Sequence, residues 1–257
     1  CIDKPTMQFV NPLLKRKAFI WWNFPVSDYV RDRLLLGAVY GNGTDIDDDI
    51  SAFISNPMEH AEASKIALFS IADYAWNMDA YKSDASWRRA VRYLMPGHAA
   101  ALQVFASHNS DLGGNEHDFR REESEQIRPA LERLLDAYCR EGKREVAAAS
   151  AVTEECERMI ASADLLLASD ENPALIKEIT PWLMQFKLLG EYGREVLCML
   201  AAQCDGKKTE LEKAASHAKA LQVLMKKIDA TYNQNGFQPG VKTGSCHLKP
   251  AFDRLYQ

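Results

Sequence analysis

Four long stretches after about residue 125 repeat one pattern, and that pattern limits the fold more than anything else in the chain. Residues 125–140 carry Ile127, Ala130, Leu131, Leu134, Leu135 and Tyr138 at three- and four-residue spacing. Residues 150–168 carry Val152, Cys156, Met159, Ile160, Ala163 and Leu167 in the same way. Residues 174–200 repeat it through Ile176, Ile179, Leu183, Phe186, Gly190, Gly193, Leu197 and Leu200, and residues 209–232 through Leu211, Ala214, Ala218, Leu221, Met225, Ile228 and Tyr232. Each stretch has an apolar stripe and a polar back, so each predicts an amphipathic helix that must bury its stripe. The breaks at Glu141-Gly142, Asp170 to Pro173 and Asp205-Gly206 are short, which sets consecutive helices antiparallel in a bundle. Gly190 and Gly193 fall on the third stripe, where a missing side chain lets two helices cross closely.

The first third reads differently. Leu13, Leu14 and the basic residues after them suit the last turns of a helix. KAFIWW is a compact apolar run ending at Asn23-Phe24-Pro25, and ISAFISNP is a second one, again stopped by Asn-Pro. Both fit buried strands followed by loops. Between them YGNGTDIDDD is a polar, turn-rich loop. From Glu59 to Trp76 the chain is helical and apolar nearly all round, as a helix buried on several sides is. Strand, loop, strand, loop, buried helix is the rhythm of a parallel α/β unit. Beyond about residue 80 the chain reads as helix, the tail NQNGFQPGVKTGS is turn-rich, and HLKPAFDRLYQ starts another helix. A boundary near residue 120 divides the chain into 1–119, part of an α/β layer, and 120–257, a helical bundle.

The formal net charge of −5 supplies no basic footprint, which argues against a nucleic-acid partner. No apolar run approaches the ~20 residues that span a bilayer. The six cysteines form no CxxC pair, and buried free thiols are the expectation. The chain begins at Cys1 without Met or a signal-like apolar region, and so reads as a fragment or processed product.

Three constellations bear chemistry. Asn23 and Asn56 stand at the carboxyl ends of the two expected strands, where parallel α/β folds carry their sites, and Asp28 follows five residues after Asn23. Two amides and a carboxylate can hold several hydroxyls of a sugar, with Trp21 as an aromatic wall. The competing reading is that the asparagines shape turns before proline and Asp28 caps a helix; spacing alone favours that one. The acids of TDIDDDI lack apolar neighbours that would raise a pKa and lack the alternating ligands of a calcium loop, so a solvated loop is expected there. HNSDLGGNEHDFRREES, from His108 to Ser124, turns tightly at Gly113-Gly114; it either bonds its own backbone or reaches over a site, and its histidines match no zinc spacing. No phosphate loop, GxSxG, HExxH or nucleophilic cysteine signature occurs. No cofactor or metal is implied.

The segments AFIWWNFPVSDYVRDRLLLGAVYGN, ISNPMEHAEASKIALFSIADYAWN and HNSDLGGNEHDFRREES resemble bacterial members of glycoside hydrolase family 84, the β-N-acetylglucosaminidases or O-GlcNAcases of Bacteroides-type bacteria. The tail NQNGFQPGVKT resembles the end of that family's helical domain. The resemblance implies a mainly α chain: the C-terminal remnant of a (β/α)8 barrel, with two short parallel strands plus helices, followed by an antiparallel helical bundle. It implies a retaining, substrate-assisted hydrolysis in which the substrate's acetamide forms an oxazoline, served by two consecutive aspartates. It carries Trp21 onto the acetamide-pocket wall, Asn23 and Asn56 onto ring contacts, Asp28 onto the 4- and 6-hydroxyls, and His117 onto an aglycone-side position.

The family's aspartate pair and an assisting tyrosine lie upstream of WWN, and Asp47 to Asp49 occupy a variable loop. The chain is therefore expected to hold part of a binding site for N-acetylglucosaminides without the acid/base pair. The alternative from another class is a stand-alone helical interaction module derived from the enzyme. Open strand edges leave homodimerisation, disorder or refolding around the bundle as outcomes for residues 1–119. The resemblance places the protein in the periplasm or outside the cell.

Overall fold

The computed structural model describes residues 2–111 and 121–257. Helix α1 (Lys4–Leu14) starts where the Asp3 carboxylate accepts the Thr6 N–H at 2.9 Å, and it ends at Lys15, whose φ of 55° is left-handed. Strand β1 (Ala18–Trp22) pairs in parallel with β2 (Ile50–Ser55), with an irregularity between Ala18 and Phe19. The amide of Asn11 spans the bottom of this pair: its Oδ1 accepts the Ala18 N–H at 2.8 Å, and its Nδ2 donates to the Asp49 carbonyl at 2.7 Å. Between the strands the acids Asp47–Asp49 form a single 3-10 turn, and Lys4 lies within 3.9 Å of Asp45 and Asp49.

One face of the pair is covered. Trp22 and Phe53 pack edge to face at 5.4 Å, Phe53 meets Tyr74 at 5.9 Å, and Tyr74 meets Tyr81 at 5.3 Å. Tyr74 belongs to α2 (Ala61–Trp76), which also buries Ala67 and Ile71 in this cluster. Burial of these rings is what holds so short a sheet. The other face carries Phe19, Trp21 and Ile54, which remain 58%, 65% and 39% exposed.

Helices α3 (Ser83–Leu94) and α4 (Ala99–Ser107) lead to α5 (Arg128–Glu141), α6 (Val146–Leu167), α7 (Pro173–Cys204) and α8 (Lys208–Tyr232). A small hairpin of β3 (Asn233–Asn235) and β4 (Gln238–Pro239) follows, and α9 (Leu248–Tyr256) closes the fold. Two parallel strands followed by helices packed on one another are the architecture that the sequence predicts. The starts and stops are local chemistry. Asn172 caps α7 by accepting from Leu175 N at 3.2 Å, Pro173 begins it, and Gly142 ends α5 in the left-handed region at φ 63°.

A second cluster of buried side chains runs through the helices and includes Leu34–Leu36 from the loop after β1, Ile66 from α2, Phe105, Val152, Phe186 and Leu255. Three polar bonds reinforce this contact between the first third and the bundle. The Glu178 carboxylate of α7 accepts the Ala63 N–H at 2.7 Å and so caps α2. Trp182 donates its indole N–H to the Asp32 carbonyl at 2.9 Å, and Lys242 donates its backbone N–H to the same oxygen at 2.7 Å.

The thiols depart from expectation. Cys156 is buried, but Cys139, Cys198 and Cys204 are exposed, although none of the four is in a disulfide. Cys156 lies on its helix's apolar stripe, Cys139 and Cys198 lie off theirs, and Cys204 is the last residue of α7.

The close crossing expected at Gly190 and Gly193 is present. A Cβ at Gly190 would sit 3.0 Å from the Cys156 carbonyl, and one at Gly193 would sit 2.5 Å from the Phe252 ring and 2.7 Å from Cys156 Sγ. Helix α7 therefore packs against α6 and α9 at a distance that only glycine permits. Gly193→Ala is expected to destabilise the fold by about 1–3 kcal/mol, the usual cost of overpacking, read as a lower urea midpoint. An unchanged midpoint would show that α9 can move away without loss.

Candidate sugar-binding site at the strand ends

The ladder between β1 and β2 continues past both strands. Asn56 N donates to the Trp22 carbonyl at 3.0 Å, Val26 N donates to the Asn56 carbonyl at 2.9 Å, and Ser55 Oγ donates to the Phe24 carbonyl at 2.6 Å. The Phe24–Pro25 peptide is cis, and Phe24 is buried. These bonds set the two Asn-bearing ends side by side.

The side chains then meet. Asn23 Oδ1 accepts the Trp21 indole N–H at 2.9 Å and the Asn56 Nδ2–H at 3.2 Å. Both bonds fall on the oxygen, which fixes the plane of the Asn23 amide between an aromatic ring and a second amide. Trp21, Asn23 and Asn56 therefore form one cluster at the carboxyl ends of two parallel strands. Asp28 stands beyond it, exposed, in a succession of turns in which Val30 N donates to Ser27 O and Arg33 N to Val30 O. No helix follows Asp28 before the turn at Asp47, so its carboxylate caps none. That half of the competing reading fails for a local reason: Ser27 to Arg33 close successive turns that do not propagate.

His117, Gly113 and Gly114 lie outside the described residues. The flanks of their segment are held firmly. Leu36 N and Gly37 N donate to the Asn109 and Ser110 carbonyls at 2.8 and 3.1 Å, Glu123 N to the Asp111 carbonyl at 2.8 Å, and Ser124 N to the Ser107 carbonyl at 2.8 Å. Buried His108 places Nδ1 2.8 Å from Ser124 Oγ and Nε2 2.7 Å from Glu155 Oε1, and Glu155 is paired with Arg158. Burial, with Arg158 adding to it, pushes the His108 pKa down to about 3. Glu123 is buried too; its Oε1 accepts the Cys246 N–H at 2.5 Å, yet burial dominates and pushes its pKa up to about 7. The sequence marks this segment only as polar; its periodicity holds no sign that its partners are Glu155 and Cys246. Among the described residues no group of three or more His, Cys, Asp or Glu side chains could hold a metal ion, and no helix is long and apolar enough to cross a membrane.

Two parallel strands that end in polar side chains, followed by helices packed on one another, fit the last part of a barrel and a helical domain behind it. The comparisons with known proteins agree. Residues 1–107 match the family described as beta-N-acetylglucosaminidase, and residues 123–256 match the family described as "Bacterial GH84, post-catalytic domain". The chain belongs to glycoside hydrolase family GH84.

Among curated proteins, the Protein O-GlcNAcase of Rattus norvegicus and that of Mus musculus are each 30% identical over 84 residues, which is 32% of this chain and 9% of those proteins. Among solved structures, CpGH84D is 27% identical with a TM-score of 0.84 over 99% of this chain and 42% of its own. CpGH84B has a TM-score of 0.85 at 24% identity, covering 97% of this chain and 41% of that one. A Thermobaculum terrenum O-GlcNAc hydrolase mutant has a TM-score of 0.74 at 20% identity over 97% of this chain and 50% of its own. The last two likenesses bear on the fold alone. The chain spans less than half the length of the first structures it matches and a small part of the curated relatives.

The two buried titratable groups give opposite pH dependences. His108, with its folded pKa below the ordinary 6.5, contributes stability that is full above that value and is lost as pH falls towards about 3. Glu123, with its folded pKa above the ordinary 4.5, contributes stability that is full below that value and is lost as pH rises through about 7. Lowering the pH from 7 to 5 is therefore expected to weaken Glu123→Gln more than the parent chain, and His108→Gln less, in urea midpoints. A Glu123→Gln variant less acid-sensitive than the parent would show that burial does not control this carboxyl.

Proposed function

We propose that this chain is the C-terminal part of a retaining β-N-acetylglucosaminidase, and that Trp21, Asn23, Asp28 and Asn56 grip the sugar whose glycosidic bond is cleaved. The observation that carries this reading is the hydrogen-bonded cluster of Trp21, Asn23 and Asn56 at the ends of two parallel strands. The indole offers a flat wall, the two amides offer donors and acceptors to ring hydroxyls, and the exposed Asp28 carboxylate can accept from two hydroxyls at once. Charge-assisted bonds of that kind are the stronger ones.

In this reading the chemistry is substrate-assisted. The acetamide oxygen of the bound sugar attacks the anomeric carbon, the leaving oxygen takes a proton from a general acid, and water later opens the oxazoline. The two consecutive aspartates that this needs belong to an earlier barrel strand of the family. The uncovered face with Phe19, Trp21 and Ile54 supports that placement, because parallel sheets are ordinarily covered on both sides. His117 is proposed on the aglycone side. Residues 1–119 serve as barrel and residues 120–257 as bundle. The substrates are N-acetylglucosaminides on glycans or glycoproteins, in the periplasm or outside the cell, and no nucleic-acid partner is expected.

The 257-residue chain alone is expected to release no phenol from an aryl N-acetylglucosaminide above the buffer blank. In the full-length enzyme, Asp28→Ala is expected to lower kcat/KM about 10- to 100-fold, through loss of its charge-assisted bonds to the two hydroxyls. Robust turnover by the isolated chain, or an unchanged kcat/KM in full-length Asp28→Ala, would refute the assignment.

A further inference from the structure

A pocket of about 610 Å³ opens between the loops after β1 and β2, helix α7 and the β3–β4 hairpin. Connectivity puts it on the strand-end side of the molecule. Strand β2 runs out through Asn56 into α2, so the N-terminus of α2 opens at the same end as the asparagine cluster, and Glu178 of the pocket wall caps that terminus. Arg31 and Glu59 form the near wall. Each stands three positions after a proposed sugar contact, Asp28 or Asn56, so each Cα lies within about 11 Å of that contact's Cα. The group bonded to a sugar held there starts within a few residues' length of the pocket.

The far wall is fixed in place. Residues 236–237 turn between β3 and β4, and Asn235 Oδ1 accepts the Phe237 and Gln238 N–H groups at 2.8 and 3.2 Å. Asp229 Oδ1 accepts the Val241 N–H at 2.9 Å, which ties the end of the hairpin to α8. Phe237 is 68% exposed, with the Arg31 guanidinium 5.0 Å from its ring centre. A lone exposed ring is ordinary on a surface. One held by its turn and by a cation, at the mouth of a pocket, is placed to meet a ligand.

The chemistry of the wall narrows the ligand. Arg31 donates to Glu59 at 2.7 Å, so these two charges cancel. The Glu178 carboxylate sits on the positive end of α2, which offsets it. Burial pulls the His60 pKa down, so its ring adds no charge at neutral pH, and it packs edge to face on Trp182 at 4.9 Å. The Trp182 indole N–H is taken by the Asp32 carbonyl. With the ions paired and the indole engaged, the wall presents the ring of Phe237 and the half-buried Tyr232 and Pro181. Surplus charge would suit an ion and a row of free donors would suit a second sugar; ring and aliphatic surface suits an apolar side chain.

We propose that this pocket is an aglycone subsite that takes an apolar side chain of a polypeptide, and that Phe237 is its specificity-determining residue. The inference rests on the sugar-binding role given to Asp28 and Asn56, and it adds a sequence preference to the reaction. A peptide with Leu near its glycosylated residue buries that side chain on Phe237; one with Asp there does not. An extended peptide advances about 3.3 Å per residue, so the side chain concerned stands two or three positions from the glycosylated one.

The test uses the full-length enzyme and heptapeptides that carry one β-linked N-acetylglucosamine on a central serine. Leu or Asp is placed in turn at the second and third positions on either side, and an aryl N-acetylglucosaminide and N,N′-diacetylchitobiose serve for comparison. At one of these positions Leu is expected to exceed Asp about tenfold in kcat/KM. Phe237→Ser is expected to bring that ratio to about one and Phe237→Leu to keep most of it. Both are expected to leave the aryl substrate, which carries no peptide side chain, within about twofold, with circular dichroism unchanged. Asp28→Ala is expected to slow aryl and peptide substrates alike and to keep the ratio, so the two assignments fail separately. A ratio near one at every position, a ratio untouched by Phe237→Ser, or an equal loss on the aryl substrate would overturn the subsite. So would a chitobiose rate that falls more than the Leu-peptide rate in Phe237→Ser, since the occupant would then be a glycan.

Discussion

The backbone carbonyl of Asp32 accepts two hydrogen bonds, one from the Trp182 indole and one from the Lys242 amide. Through it the helical bundle grips the loop that carries Asp28. Four residues before Trp182, Glu178 caps the helix that follows Asn56. A two-stranded parallel sheet is marginal alone, and this one has its rings buried on a single face. The positions of the site loops are therefore set largely from behind, by a helix that contributes nothing to the Trp21, Asn23 and Asn56 cluster itself. Buried packing says the same, because one continuous cluster joins Leu34–Leu36 to Leu255.

Much of the fold was legible because amphipathic periodicity is a local property. The four long stripes became α5 to α8, the runs AFIWW and ISAFIS became paired parallel strands, and the two glycines on the third stripe became the close crossing. The strand ends and the two asparagines were legible for the same reason. Partners were not. A stripe states which face is buried and is silent on what buries it, so Glu178 gave no sign of capping α2, nor Glu155 of holding His108. The cysteines teach a narrower lesson. General preference puts cysteine inside, but Cys139 and Cys198 fall off their helices' apolar stripes, Cys204 ends its helix, and all three are exposed, so local position outweighed the residue type.

The segment around residues 108 to 124 shows how a connection can be polar and still rigid at its ends. His108, Asn109, Ser110, Asp111, Glu123 and Ser124 are all buried. Backbone pairs to Leu36, Gly37 and Ser107, together with the His108 and Glu123 side-chain bonds, replace the water these groups would otherwise hold. Two ionisable groups of opposite pH sense sit close together in sequence there. Their balance keeps stability flatter across mildly acidic pH than either would alone.

The amide of Asn11, which spans the gap between Ala18 N and the Asp49 carbonyl, does the work of a peptide unit from a neighbouring strand. Its consequence lies in alignment. Side chains alternate along a strand, so a slip of one position would turn Trp21 into the ring cluster around Tyr74 and swing Trp22 outward. Asn23 and Asn56 would then no longer face each other. A single side chain in the first helix thus helps the strand ladder to fix which residues stand at the far, carboxyl ends of the pair.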